Sequence, residues 1–228
     1  MLILLGPVSA VRDTVFCMVT ARRPESYLQR AVGSLLEQNV LLYDGVGLVV
    51  LDTDGGASNS SLATPMPREM AVCDTPDTEG LPSCEVRQRS LDAIAAMTVC
   101  AQSASGWVVL LEDDCLACPG AVDELVTALG GLDARATSLA RFSKFQRATA
   151  IPSRKAPLYA ADIRHRLYTH PPDVTRIEDW DPPGGLYVHA RNLFHHIGYM
   201  STEAVKNNDA FRERHRALRE DVCWQPDL

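Results

Sequence analysis

The chain has 228 residues, 46% of them hydrophobic and 22% charged, with a formal net charge of -7. That is a globular composition, neither disordered nor fibrous, and the length suits one large α/β domain, the expectation here, as well as two small ones. The acidic balance argues against a general nucleic-acid binder, and no apolar stretch approaches the ~20 residues of a membrane-spanning helix.

The opening residues carry a short apolar run, Leu2 to Leu5, without a basic stretch before it, so no targeting segment is legible. Thr14-Val15-Phe16-Cys17-Met18-Val19, within 11–20, is β-branched and aromatic enough for a first buried strand. Arg22, Arg23 and Pro24 turn the chain, and Leu28, Ala31, Val32, Leu35 and Leu36 recur at helical spacing over 27–38. A second strand over 46–51 ends in Asp52-Thr53-Asp54-Gly55-Gly56. Residues 57–84 are rich in Ser, Pro, Thr and Asp and read as a long surface excursion. A second helix is predicted over about 86–101, with Leu91, Ile94, Ala95 and Thr98 on one face.

Next comes Trp107-Val108-Val109-Leu110-Leu111-Glu112-Asp113-Asp114, an apolar run ending in three acids. It reads as a buried parallel strand that delivers carboxylates to its C-terminal edge, where open α/β sheets put their ligands. Carboxylates this close repel one another and burial adds to the cost, so a hard divalent cation or a solvated acidic turn are the two explanations. A third helix carries Val122, Leu125, Val126 and Leu129 on one side and is closed by Gly130-Gly131. This alternation implies an α/β fold with a mostly parallel sheet and helices on both faces. No glycine-rich phosphate loop follows the first strand, which removes the central device of dinucleotide-binding and P-loop proteins.

Beyond Ala140 the pattern loosens. A strand is expected over 139–145, and 152–183, with six prolines, reads as an irregular lid or wall. Gly184-Gly185-Leu186-Tyr187-Val188 reads as a short strand after a turn, and 210–220, alternating Arg, Glu and His, as an exposed helix or disordered end. The seven cysteines are scattered. Cys17 and Cys100 fit small core residues, and Cys73 and Cys84 flank a loop that they would close in an oxidising compartment. Cys115 and Cys118 form a Cys-x-x-Cys with no second pair for zinc, and two structural thiols are the expectation.

Thr20-Ala21-Arg22-Arg23-Pro24-Glu25-Ser26-Tyr27-Leu28, Arg87-Gln88-Arg89-Ser90-Leu91-Asp92, Leu110-Leu111-Glu112-Asp113-Asp114 and His196-Ile197-Gly198 stand in this order along the chain. In that order they resemble the N-acetylglucosaminyltransferase IV family, and the Glu-Asp-Asp core resembles that of GPI-anchor N-acetylgalactosamine transferases. The resemblance spans roughly residues 14–205 and implies a GT-A-type nucleotide-sugar fold. It implies one catalytic domain over 1–228, with a nucleotide-sugar half at 11–135, an acceptor side at 136–205 and a tail at 206–228. It implies a divalent cation, Mn²⁺ or Mg²⁺, that grips the diphosphate of a UDP-sugar donor, with a glycan or glycolipid as acceptor. Asp114 is the leading metal ligand, with Asp113 beside it and Glu112 placed for the ribose or for support of the ligands. His196 completes the metal or diphosphate site or is a packing residue.

Thr20 would reach the nucleotide, Arg22 and Arg23 suit a phosphate or stand as surface arginines, and Asp54 contacts uridine or caps its turn. Gln88, with Arg87 and Arg89, opens the second helix, where an anion is welcome. An inverting transferase needs a carboxylate base, and Asp179 and Glu178 are candidates within the wall that also holds Asp162 and Asp181. The family's membrane anchor, stem and lectin-like domain have no counterpart here, so a trimmed catalytic domain or a minimal relative is expected. A Golgi or secretory lumen follows from the resemblance alone. Two other readings use the same acids: a metal-dependent phosphoryl-transfer enzyme with Asp52 and Asp54 as added ligands, and a non-catalytic sugar-binding relative.

Overall fold

The computed structural model describes residues 12–20, 27–53, 63–66, 69–72, 84–142, 148–169 and 184–197. Strand β1 (Arg12–Thr20) leads to helix α1 (Leu28–Glu37) and then to β2 (Val46–Asp52). The excursion contains a two-residue strand, β3 (Thr64–Pro65), followed by Met66, which is buried in contrast to the surface expectation. Helix α2 (Cys84–Ala101), β4 (Ala104–Glu112), β5 (Cys115–Ala117) and α3 (Ala121–Gly131) follow. The remaining elements are β6 (Thr137–Arg141), β7 (Ala148–Pro152), α4 (Ala156–Arg166), β8 (Gly185–Val188) and β9 (Phe194–His196).

Seven strands form one sheet in the order β3-β2-β1-β4-β7-β6-β8. Only β7, paired with β4 on one side and β6 on the other, runs antiparallel to its neighbours. The other pairings are parallel, so the sheet is largely parallel, as the alternation of elements implies. Side chains alternate across it. Phe16, Met18, Leu48, Val50, Trp107, Val109 and Leu111 pack with α1 and α3 in one cluster. Val15, Cys17, Val49, Leu51 and Val108 pack with Ala96 and Cys100 of α2 on the other side. Burial on both faces explains why these strands read as unbroken apolar runs.

Helix α1 buries Leu28, Ala31, Val32 and Leu35, an i, i+3, i+4, i+7 stripe. Helix α2 buries Leu91, Ile94 and Met97 against α4 and Ala96 and Cys100 against the sheet, while Ala95 and Thr98, expected on its core face, are half-buried. Helix α3 begins after Gly120, which takes a φ of 77° that favours glycine, and contains Gly130 and Gly131 rather than ending before them. Gly106 is required by a close approach: a Cβ there would stand 2.5 Å from the Asp13 carbonyl oxygen, beside a register shift between β1 and β4.

Three expectations are corrected. The stretch from Pro152 is not irregular throughout, because residues 156–166 form α4, whose Pro157 sits in the first turn where a missing N–H costs nothing. The strand expected over 139–145 runs over 137–141, and β7 was not anticipated. Cys17 and Cys100 are buried as expected but are joined in a disulfide spanning 83 residues; Cys84 and Cys118 are disulfide-bonded as well. Cys118 is therefore not a structural thiol, whereas buried Cys115 is not in a disulfide. Cys73, the proposed partner of Cys84, and the tail over 210–220 lie outside the described residues. Among the described residues no helix is long and apolar enough to cross a membrane.

Candidate functional site

The strand order reverses at β1. The chain leaves β1 through α1 to reach β2 on one side, and comes back through α2 to β4 on the other. Because α1 and α2 cover opposite faces, a crevice is expected outside the carboxyl ends of β1 and β4, the usual ligand position in open α/β sheets. The register pairs Val19 with Glu112 and Thr20 with Asp52, so the ends of β2, β1 and β4 are level.

Thr20 bridges that crevice. Its hydroxyl donates to Oδ2 of Asp113 at 2.7 Å, and its carbonyl accepts from the backbone N–H and the hydroxyl of Thr53 at 3.0 and 3.2 Å. Asp113 and Asp114 are only 2% and 3% exposed, and Asp52, at the end of β2, is 1% exposed. Burying adjacent carboxylates is costly without compensation by donors or a cation.

Past the acids the chain enters β5, which pairs antiparallel with β9 and sets Cys115 opposite His196. The Ile197 N–H donates to the Asp114 carbonyl at 2.7 Å, which ties the acidic turn to the strand carrying the histidine. Glu112, Asp114 and Cys115 each offer a ligand atom, and these three atoms lie within 4.8 Å of one another. The Cys115 sulfur is 4.0 Å from Oδ1 of Asp114. Two carboxylates and a thiol within that span are a donor set that fits a borderline divalent cation such as Co²⁺ or Zn²⁺, while the carboxylate oxygens also suit Mn²⁺.

The grouping differs from the expected one. Glu112, assigned to the ribose or to support, lies in the cluster, while Asp113, assigned beside Asp114 as a ligand, takes the Thr20 hydroxyl. Thr20 was expected on the nucleotide. Gln88, expected on an anion, spends its amide within the chain: it donates to the Glu69 carbonyl and to Asp92 and accepts from the Ala71 N–H, each near 2.9 Å. Arg87 is buried, donates to the Val72 carbonyl at 2.8 Å and stacks over Tyr168 at 5.6 Å. Asp162, one carboxylate of the expected wall, pairs with Arg166 on α4. Arg22, Arg23, Asp54, Glu178 and Asp179 lie outside the described residues, and of His196 only the backbone is described. Sequence reasoning missed Cys115, whose signal was its place directly after the acids.

A glycosyltransferase involved in the glycosylation of the major capsid of PBCV-1 is similar with a TM-score of 0.50 at 12% identity, over 89% of this chain and 99% of that one. The chain has a GT-A-type fold. The galactosyltransferase LgtC, in complex with donor and acceptor sugar analogs, is similar at a TM-score of 0.43 and 13% identity, over 77% of this chain and 72% of its own. The glycosyltransferase GlyE of Streptococcus pneumoniae gives 0.40 at 9% identity, over 78% and 45%. No protein family and no curated protein matches the chain. It thus combines a GT-A-type fold with a candidate metal-coordinating cluster at the carboxyl end of β4, the edge where open α/β sheets hold their ligands.

Proposed function

We propose that the chain is a metal-dependent, inverting glycosyltransferase of the N-acetylglucosaminyltransferase IV type. It would move N-acetylglucosamine or another N-acetylhexosamine from a UDP-sugar to a glycan or glycolipid. The carrying observation is the convergence of Glu112, Asp114 and Cys115 beside the Thr20–Asp113 bridge, at the point where the strand order reverses.

Glu112 and Asp114 would hold Mn²⁺ or Mg²⁺, with His196 completing the site; the register that sets residue 196 opposite Cys115 supports that role. A cation held there would supply Lewis-acid neutralisation of the charge on the departing diphosphate. Asp113, fixed by Thr20, orients the turn. Arg22 and Arg23 would bind phosphate and Asp54 the uridine. Glu178 or Asp179 would take the proton of the acceptor hydroxyl as its oxygen bonds to the anomeric carbon and the bond to UDP breaks. The nucleotide-sugar half would be 11–135 and the acceptor side 136–205. The disulfide-bonded cysteines support an oxidising compartment such as the Golgi or secretory lumen.

Thermal melting tests this reading. UDP with Mn²⁺ is expected to raise the melting temperature further than Mn²⁺ alone or UMP with Mn²⁺ does, since ligand at 100 times its Kd stabilises by about 2.7 kcal/mol. Asp114→Ala is expected to fold and to lose the metal-dependent part of that shift. Unchanged UDP binding in the variant, or an equal response to ATP and free phosphate, overturns the reading. Hydrolysis of a panel of UDP-sugars with Mn²⁺ then identifies the donor.

A further inference from the structure

Resting on the metal-dependent reading above, we infer that Cys115 is itself a metal ligand, making the site a mixed oxygen and sulfur centre that prefers softer cations. Among the described residues Cys17, Cys84, Cys100 and Cys118 are oxidised, whereas Cys115 keeps a thiol. That thiol is buried at the margin of the apolar cluster under α1 and α3, with its sulfur 4.0 Å from Oδ1 of Asp114 and within the 4.8 Å span that also takes in Glu112.

The spacing suits a shared cation. Metal–sulfur and metal–oxygen bonds of about 2.3 and 2.1 Å at a tetrahedral angle put the two donors about 3.6 Å apart. The observed sulfur-to-Asp114 distance is 4.0 Å, about 0.4 Å longer than that spacing. The backbone around the thiol is fixed on both sides, by the pairing of β5 with β9 and by the Ile197 N–H on the Asp114 carbonyl, so the donor set is held in place before a cation arrives. On binding, the thiol proton leaves to solvent and the sulfur coordinates as thiolate. A soft donor discriminates against Mg²⁺ and Ca²⁺, which take oxygen ligands, and favours Zn²⁺, Cd²⁺ and Co²⁺.

The experiment is a titration of the intact chain with Cd²⁺ or Co²⁺, followed by absorbance. A thiolate-to-metal charge-transfer band is expected to grow and saturate stoichiometrically. In Cys115→Ser the band should vanish. Cd²⁺ affinity should fall by at least about tenfold, the loss that follows removal of even an outer-shell partner. Mg²⁺ affinity should stay nearly constant. Asp114→Asn, which leaves the sulfur in place, should weaken Cd²⁺ binding read from the same band, and so serves if the serine variant does not fold. A band that survives in Cys115→Ser overturns the assignment. So does its absence in the wild type when calorimetry shows Mn²⁺ binding, an outcome that leaves the metal-dependent reading standing. No cation binding of any kind overturns both.

Discussion

The hydroxyl of Thr20 and the carboxylate of Asp113 meet across 93 residues of sequence, at the last position of β1 and the first turn position after β4. A buried acceptor that loses its donor costs about 1–3 kcal/mol. Thr20→Val keeps the branched shape and removes only the donor. It is therefore expected to lower stability by about 1–3 kcal/mol in urea unfolding. Thr20→Ser, with its hydroxyl retained, should recover most of that, and a valine variant as stable as the wild type would show that the bond contributes nothing net. Both partners were singled out from the sequence, because strand ends are visible in it as apolar runs that stop at polar residues. Their pairing was not visible. Which of three neighbouring acids faces a threonine and which faces a cysteine depends on the backbone of a two-residue turn, and no periodicity reports that. Gln88 illustrates the converse: its place at a helix start suggested an anion, while its amide is taken up by Glu69, Ala71 and Asp92.

Among the elements, those with two-sided burial or a clear stripe, β1, α1, β2, β4 and α3, were legible, and α4 and β7 were not. Prolines at both ends masked α4: Pro157 suits a first turn, and the prolines from 171 onward lie after the helix. Strand β7, Ala-Thr-Ala-Ile-Pro, is five residues long, has Thr149 and Ile151 as its only β-branched residues and no aromatic one, and lacks a polar face because it is buried throughout. Helix α4 is held to β6 by the Tyr159 hydroxyl, which donates to the Ser138 carbonyl at 2.5 Å. The Lys155 ammonium helps, donating to the Arg135 and Thr137 carbonyls and to the Ser138 hydroxyl. Burial pushes the Tyr159 pKa up from 10.0, the Ser138 side chain opposing it in part. A phenol whose folded pKa is raised contributes stability that is fully present below pH 10 and is lost as pH rises through the higher folded value. Lys155 is lowered, by burial first and by Arg154 next, so its effect has the opposite sign: below 10.5 the unfolded chain holds more protons and stability rises with pH. Comparing Tyr159→Phe with the wild type cancels the lysine. The variant is expected to be about 0.5–1.5 kcal/mol less stable at pH 7, for one lost hydrogen bond. It should also lose less stability than the wild type above pH 10. Parallel alkaline profiles in urea unfolding would remove Tyr159 as their source.

At the scale of the molecule, helix–strand alternation foretold a parallel sheet holding β1, β2 and β4, and hence the edge at which the candidate site lies, while β3 falls in the stretch read as a surface excursion. It could not foretell the Cys17–Cys100 cross-link, because both cysteines sit inside apolar patterns that a reduced thiol would satisfy equally well, whereas Cys84, beside its Pro- and Asp-rich loop, was expected to be bonded in an oxidising compartment and is bonded. The Cys17–Cys100 bond fastens the central strand β1 to α2, directly beneath the β1–β4 pairing that carries the site. Closing a loop of 83 residues removes chain entropy worth roughly 4–5 kcal/mol in the simplest model, and native bonds of this kind contribute about 2–5 kcal/mol. The double substitution Cys17→Ala with Cys100→Ala leaves no unpaired thiol behind and is expected to lose about 2–5 kcal/mol in urea unfolding, with small cavities adding to the entropic term. Because Cys84 and Cys118 are also bonded, refolding in dithiothreitol should cost the wild type more than this double variant loses, and the variant should itself remain sensitive to reductant. A wild type that regains full stability while reduced would mean that the fold is self-sufficient without its cross-links, and would withdraw the support that they lend to an oxidising compartment.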